Sequence, residues 1–275
     1  MNLKPFKLLA LIVLVIVPYV RVDPQTHGGG GKKADIKEGL GRTWKGPSGT
    51  LIARLVKKKA SGGPAVAERR TTIRVIPAPA PLPTASVTFR SGVNSGADEA
   101  LASAFASTAA EKQGLLIIFR QVKQAYETEV AKEGKSNNLA AAMTFFIASN
   151  VVAYHRTPMP EDDATEQIFV SLRDIMTNTP DIAKMTNAQK QQMHDWLVYM
   201  GGFILLSYAD ATQKNDREAL DNARLLAGYS MQIALGVDVS KLTITNEGLT
   251  MADGASSSYF YDPLTLMWMS KFRPV

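Results

Sequence analysis

Residues 137–236 constrain this chain more than any other stretch, because apolar side chains recur there at helical spacings for about a hundred residues. The longest segment places Met193, Trp196, Leu197, Met200, Ile204 and Tyr208 on one face, three or four positions apart. Thr186 followed by Gln189 reads as a capping-box start for this helix. Gly201-Gly202 interrupts the face, and each glycine costs roughly 1 kcal/mol against alanine in a helix interior. The pair therefore marks either a close helix approach or a break into two helices. A helix so apolar on one side must be covered, and the flanking segments have the pattern to cover it.

Those segments read as further amphipathic helices. Ser95 with Asp98 opens a first, running through Leu101, Ala104, Phe105 and Thr108. A second starts at Leu115, aligns Phe119, Val122, Tyr126 and Val130, and stops at Gly134; Glu127, Glu129, Lys132 and Glu133 fall on its outer side. Asn137 or Asn138 caps a third, which aligns Leu139, Met143, Phe146, Asn150 and Tyr154 and ends before Thr157-Pro158-Met159-Pro160. Glu161-Asp162-Asp163 puts negative charge at the start of a fourth, with Ile168, Leu172, Ile175 and Met176 as its apolar face. The last begins near Asn215-Asp216 and carries Leu220, Ala223, Ala227 and Met231 to Gly236. The expected fold is mainly α: an antiparallel bundle of about six helices over residues 86–250. Beyond Gly236 the chain turns β-branched and reads as an extended strap with a turn at Asn246-Glu247-Gly248. Residues 251–275 form an aromatic tail, with Tyr259-Phe260-Tyr261, Leu264, Leu266, Trp268 and Phe272. It either folds back onto the bundle or docks on a partner.

The front of the chain is a different object. Residues 1–90 hold 16 Lys+Arg against 4 Asp+Glu, whereas residues 91–275 hold 15 against 21. Lys4 and Lys7 precede an apolar run, Leu8 to Val17, that is about 15 Å long as a helix, half the ~30 Å of a bilayer core. Residues 1–22 therefore read as a secretory signal, though Pro18-Tyr19-Val20-Arg21-Val22 offers no small-residue cleavage site. A short membrane tether and a buried element of a cytosolic fold are the alternatives. Residues 23–85 form a basic Gly/Pro-rich linker, partly disordered, with a short β-hairpin between residues 50–56 and 71–76 and a polyproline spacer at 77–83.

Tyr126, Gly134, Asn138-Leu139-Ala140, Lys190-Gln191, Leu235-Gly236-Val237-Asp238 and Leu242 to Gly248 together resemble an uncharacterised family of bacterial helical proteins, often preceded by an export signal and catalogued as a domain of unknown function. The resemblance spans roughly residues 86–250. It implies a helical fold and carries over no activity, cofactor or catalytic residue.

The residues themselves carry little chemistry. The chain has no cysteine, which excludes disulfides, thiolate metal sites and cysteine nucleophiles. None of His27, His155 and His194 is followed by a His, Asp or Glu three or four residues on, and neither Glu-x-x-His nor His-Glu-x-x-His is present, so no metal or cofactor is expected. His155 and His194 read as capping or surface residues. Asp195 follows His194 directly, about 100° around a helix, which argues against their sharing a face. There is no Gly-x-Ser-x-Gly turn, Gly28 to Lys33 fails as a phosphate loop, and Glu161-Asp162-Asp163 lacks the spacing of a calcium loop. Asn150, Tyr154 and Tyr208 lie on apolar faces and either converge on a small pocket or satisfy one another's hydrogen bonds.

The expected function is that of a non-catalytic, exported helical module that binds another protein or the cell envelope, periplasmic or secreted. Membrane contact is expected through residues 6–20 and the linker. A ligand-binding protein or enzyme using an interhelical pocket is one alternative. Binding of anionic lipid or nucleic acid through Lys57-Lys58-Lys59 and Arg69-Arg70 is another, with nucleic acid disfavoured because Trp44 is the lone tryptophan nearby.

Overall fold

The computed structural model describes residues 87–92 and 94–252. The signal-like segment, the basic linker with its expected hairpin, and the aromatic tail beyond residue 252 lie outside the described residues. Within them the chain is mainly helical, with seven α-helices and one two-stranded hairpin. None of these helices is long and apolar enough to cross a membrane.

Helix α1 (Ala97–Phe105) is capped by Gly96 rather than by Ser95, with Gly96 in the left-handed region at φ 72°. It ends earlier than expected because Thr108 belongs to the next element. The Thr108 hydroxyl accepts from the Glu111 amide while the Glu111 carboxylate accepts from the Thr108 amide, which starts α2 (Ala109–Lys132) six residues before Leu115. Gly134 stops this helix at φ 67°, as expected. Glu129, expected on the outer side, is buried and pairs with Lys132.

Helix α3 (Leu139–His155) begins at Asn138, whose side chain accepts from the Ala140 and Ala141 amides. Every residue from Leu139 to Ala153 is buried. The expected amphipathic stripe is therefore absent. A helix apolar on all sides belongs in the centre of a fold, and Ala140, Ala148 and Ala153 are small enough to let neighbours approach it closely. Helix α4 (Asp162–Thr177) buries Ile168, Leu172, Ile175 and Met176. A single turn, α5 (Pro180–Lys184), supplies the helix the periodicity did not resolve, with proline at its first position.

Helix α6 (Asn187–Gln213) starts with the Thr186–Gln189 capping box and runs unbroken through Gly201-Gly202. The glycines mark close approach. A Cβ on Gly201 would stand 3.1 Å from the Phe146 Cα, and one on Gly202 would overlap Val122 Cγ1. Helix α7 (Arg217–Leu235) is capped by Asp216 and ends at Gly236, φ 66°.

Helix α3 packs most extensively on α6, and also on α7 and α4, while α2 packs on α6 as well. Trp196 at the centre is 1% exposed and tilts against Phe146 at 5.6 Å. After Gly236 a 3-10 turn (Val239–Lys241) leads into β1 (Leu242–Thr245), paired antiparallel with β2 (Gly248–Met251). Thr245 opposes Gly248, so Asn246 and Glu247 form the turn, and the expected strap is a hairpin resting on α4. Gly248, at φ 102°, suits a position where a side chain would be strained.

Candidate functional site

A polar row runs along α6 from the surface inward, where the exposed Asn187 and the buried Gln191 and Asp195 follow one another at four-residue intervals and so share a face. Each holds a point on residues 87–96. The Arg90 amide donates to Asn187 Oδ1 at 3.3 Å, the Gly92 amide to Gln191 Oε1 at 2.7 Å, and the Ser95 hydroxyl to Asp195 Oδ2 at 2.7 Å. The Phe89 amide also donates to the Asn137 carbonyl at 3.1 Å, beside a bridge between Thr88 and Asn138. The ladder laces this strap onto the bundle just where the chain enters it.

Asp195 is 1% exposed and accepts two further hydrogen bonds. Lys123 of α2 donates to Oδ2 at 2.8 Å, and His194 Nδ1 lies 3.1 Å from Oδ1. An ionised carboxylate only accepts, so Nδ1 carries the proton. Burial alone would raise the pKa of Asp195. The hydrogen bonds from His194, Lys123 and Ser95 and the charge of Lys123 outweigh it and hold the carboxyl below the ordinary value.

This geometry corrects the reading of His194 and Asp195. His194 is 1% exposed in mid-helix rather than at a surface or cap. Neighbouring residues point about 100° apart at their Cβ atoms, yet Nδ1 sits near the root of the imidazole and reaches the short Asp195 side chain. The His194 ring is enclosed edge-on by Phe89 and Tyr126, with centroids at 5.1 and 5.6 Å. Its Nε2 stands 3.6 Å from Glu127 Oε1 and has no hydrogen-bond partner. The buried Tyr126 hydroxyl is likewise unpartnered, and its pKa is raised well above the usual phenol value by burial and then by Glu127 and Glu133. Tyr199, across Asp195, is pushed up by burial and by the Asp195 and Asp98 carboxylates.

A serine, a histidine and an aspartate thus meet in one cluster, but in the wrong order for nucleophilic catalysis. That chemistry needs the hydroxyl to donate to the histidine and the histidine to the carboxylate. Here Ser95 and His194 both attach to Asp195. The four-residue spacing of Asn187, Gln191 and Asp195 was the available sequence signal for the ladder.

The expected trio of Asn150, Tyr154 and Tyr208 is not joined by hydrogen bonds. Asn150 is fully buried between α3 and α7, donating to the Phe146 carbonyl at 2.6 Å and accepting from Ser230 at 2.5 Å. Tyr208 is half-buried on α6 and is not among the walls of the groove that Tyr154 lines. Tyr154 lines a surface groove of about 540 Å³ between the end of α3, one face of α7 and residues 237–239. Its apolar walls are Tyr154, Leu225, Tyr229, Val237 and Val239. The Arg224 guanidinium lies 4.6 Å over the Tyr154 ring. Asp221 accepts from Arg156 at 2.6 Å, and Asp238 caps the 3-10 turn by accepting from the Ser240 amide and hydroxyl. His155, at the end of α3, meets the Val239 carbonyl at 3.1 Å and pins the groove wall. Asp162 and Asp163 sit in the first turn of α4, as helix initiation requires, with Glu161 as its N-cap. His27, Trp44, Lys57-Lys58-Lys59 and Arg69-Arg70 lie outside the described residues.

The fold is thus a helical domain with a pinned amino-terminal strap and an amphipathic groove. A family model described as a family of unknown function (DUF6683) matches residues 57–252, and the chain belongs to that family. The matched stretch begins inside the basic region, ahead of the strap. Neither a curated protein nor a solved structure matches the chain.

Proposed function

We propose that this chain is a non-catalytic exported module that holds its basic amino-terminal region against the anionic surface of the cell envelope. The observation that carries the reading is the Asn187–Gln191–Asp195 ladder. It spends the buried Gln191 and Asp195, with the exposed Asn187, on fixing residues 87–96, immediately after a stretch with eleven more cations than anions. A tethered cationic segment gains when its exit point is rigid, because the cations then stay concentrated at one face. The order of contacts around Asp195, in which Ser95 meets the carboxylate and not the imidazole, supports an architectural role over a chemical one. The short apolar run with its lysine flank supports export.

Two measurements on the full chain test this. Intact mass in separated cellular fractions should find the chain, shortened or membrane-held, outside the cytosol; a full-length chain confined to the cytosol contradicts export. Purified chain should co-sediment with vesicles containing anionic lipid and not with neutral ones, with binding that falls steeply as salt rises and drops when Lys57, Lys58 and Lys59 become glutamate. Equal recovery on neutral vesicles, or no effect of salt, contradicts the envelope role.

A further inference from the structure

We infer that the groove beside Tyr154 is the docking site of this chain's own aromatic carboxy-terminal segment, Tyr259 to Phe272. The inference is independent of the envelope reading, since the groove and the strap lie on different elements.

The first argument is where the described chain ends. The Ala252 amide donates to the Lys241 carbonyl at 3.0 Å, and the Lys241 amide donates in turn to the Asp238 carbonyl at 3.1 Å. Asp238 and Val239 are groove wall. The tail is therefore released at the rim of the groove rather than at a distant point of the bundle. The second argument is length. Residues 253–258, Asp-Gly-Ala-Ser-Ser-Ser, separate that hydrogen bond from Tyr259. A spacer of this size reaches about 20 Å when extended, enough to enter the groove and too short for a search of the whole surface.

The third argument is chemical match. Between Tyr259 and Phe272 the tail carries five aromatic residues, Tyr259, Phe260, Tyr261, Trp268 and Phe272, with Leu264, Leu266, Met267 and Met269 among them. Such a segment lowers its free energy by covering apolar surface, and the groove offers Leu225, Tyr229 and Val237 for it. Gly228 deepens the floor of the groove. A Cβ there would stand 3.6 Å from Tyr154, in ordinary contact, so the missing side chain leaves a methyl-sized recess against that ring and any larger side chain at 228 would intrude on the groove.

The test is a photo-reactive phenylalanine analogue placed at Leu225 in the full chain, with cross-linked peptides mapped by mass spectrometry. The expected product is an intramolecular link between position 225 and the 259–272 segment, in material that runs as a monomer. Gly228→Phe should fill the groove, abolish that link and increase the accessibility of Trp268 to iodide quenching. Gly228→Ala, whose methyl meets only ordinary contact, should leave both unchanged and controls for folding. Links from position 225 to other parts of the chain, to a second copy, to another protein alone, or to nothing, would each overturn the inference. So would a link to the tail that survives Gly228→Phe in a folded chain.

Discussion

Ser95 and Asp195 stand 100 residues apart in sequence and 2.7 Å apart in space, a hydroxyl on the entering strap donating to a buried carboxylate on the longest helix. The contact closes a ladder whose lower rungs are Gln191 and Asn187. It also gives Asp195 a third donor beside Lys123 and His194, which is why a carboxylate can stay charged at 1% exposure. Its removal should therefore be felt. Asp195→Ala leaves Lys123 and His194 without their acceptor and is expected to cost about 3 kcal/mol, the lower end for breaking a buried pair because Lys123 is 29% exposed. Ser95→Ala should cost about 1–2 kcal/mol. Urea denaturation of the two variants checks both, and equal small losses would deny Asp195 its role.

The same site fixes an acid limb of stability. The folded pKa of Asp195 lies below its ordinary value of about 3.9, so in the interval between the two the unfolded chain binds more protons than the folded one. Its contribution is complete above the ordinary value and is lost as pH falls through the folded one. Asp195→Asn should therefore flatten the dependence of stability on pH below about 4 relative to wild type, measured by urea midpoints across a pH series. An unchanged slope would place the acid sensitivity elsewhere.

Gly202 faces Val122 so closely that a methyl group has nowhere to go. Gly202→Ala should destabilise the domain by about 1–3 kcal/mol through overpacking, despite the better helix propensity of alanine. Val122→Ala, which alone opens a cavity, should recover much of that loss in the double variant. Additive losses in thermal denaturation would show that the two helices do not meet there.

Tyr126 makes the opposite prediction. Its hydroxyl is buried with no hydrogen-bond partner, so Tyr126→Phe removes an unpaired polar atom while keeping the ring against Phe145 and His194. Stability should rise by about 1 kcal/mol. A fall in melting temperature would reveal a partner for the hydroxyl.

Trp196 is the largest fully buried side chain in the core. Trp196→Ala should cost about 3–5 kcal/mol, read as a drop in denaturation midpoint. A cost below about 1 kcal/mol would mark a surface position.

These residues also show what the sequence disclosed and what it withheld. Thr186 with Gln189, Asn138, Asp216, Gly134 and Gly236 located helix ends because capping is local, satisfied within a few residues of the break in pattern. Periodicity marked helices correctly but misread one of them. It gave α3 an amphipathic stripe, whereas α3 is buried on every side, and such a helix has no stripe to read. Thr108 with Glu111 was as clear a capping box as Thr186 with Gln189, and was obscured by the apolar run starting at Leu115. His194 and Asp195 were misread because the argument from Cβ directions ignored the reach of Nδ1. Asn150 and Tyr154 share a face of α3, yet one meets Ser230 in the interior and the other opens on the groove. Only the neighbouring helix decides between those environments, and no local signal in α3 records it.

The most direct test of the account is native-state hydrogen exchange on the full chain, comparing wild type with Asp195→Ala at the amides of residues 89, 90 and 92. The ladder at residues 90 and 92, with the Phe89 bond to the Asn137 carbonyl beside it, predicts measurable protection at all three in wild type, lost in the variant while the amides of α3 keep theirs. Unprotected strap amides in wild type, or a loss spread evenly through α3 and α6, would show that the strap is not held by Asp195 and its two companions.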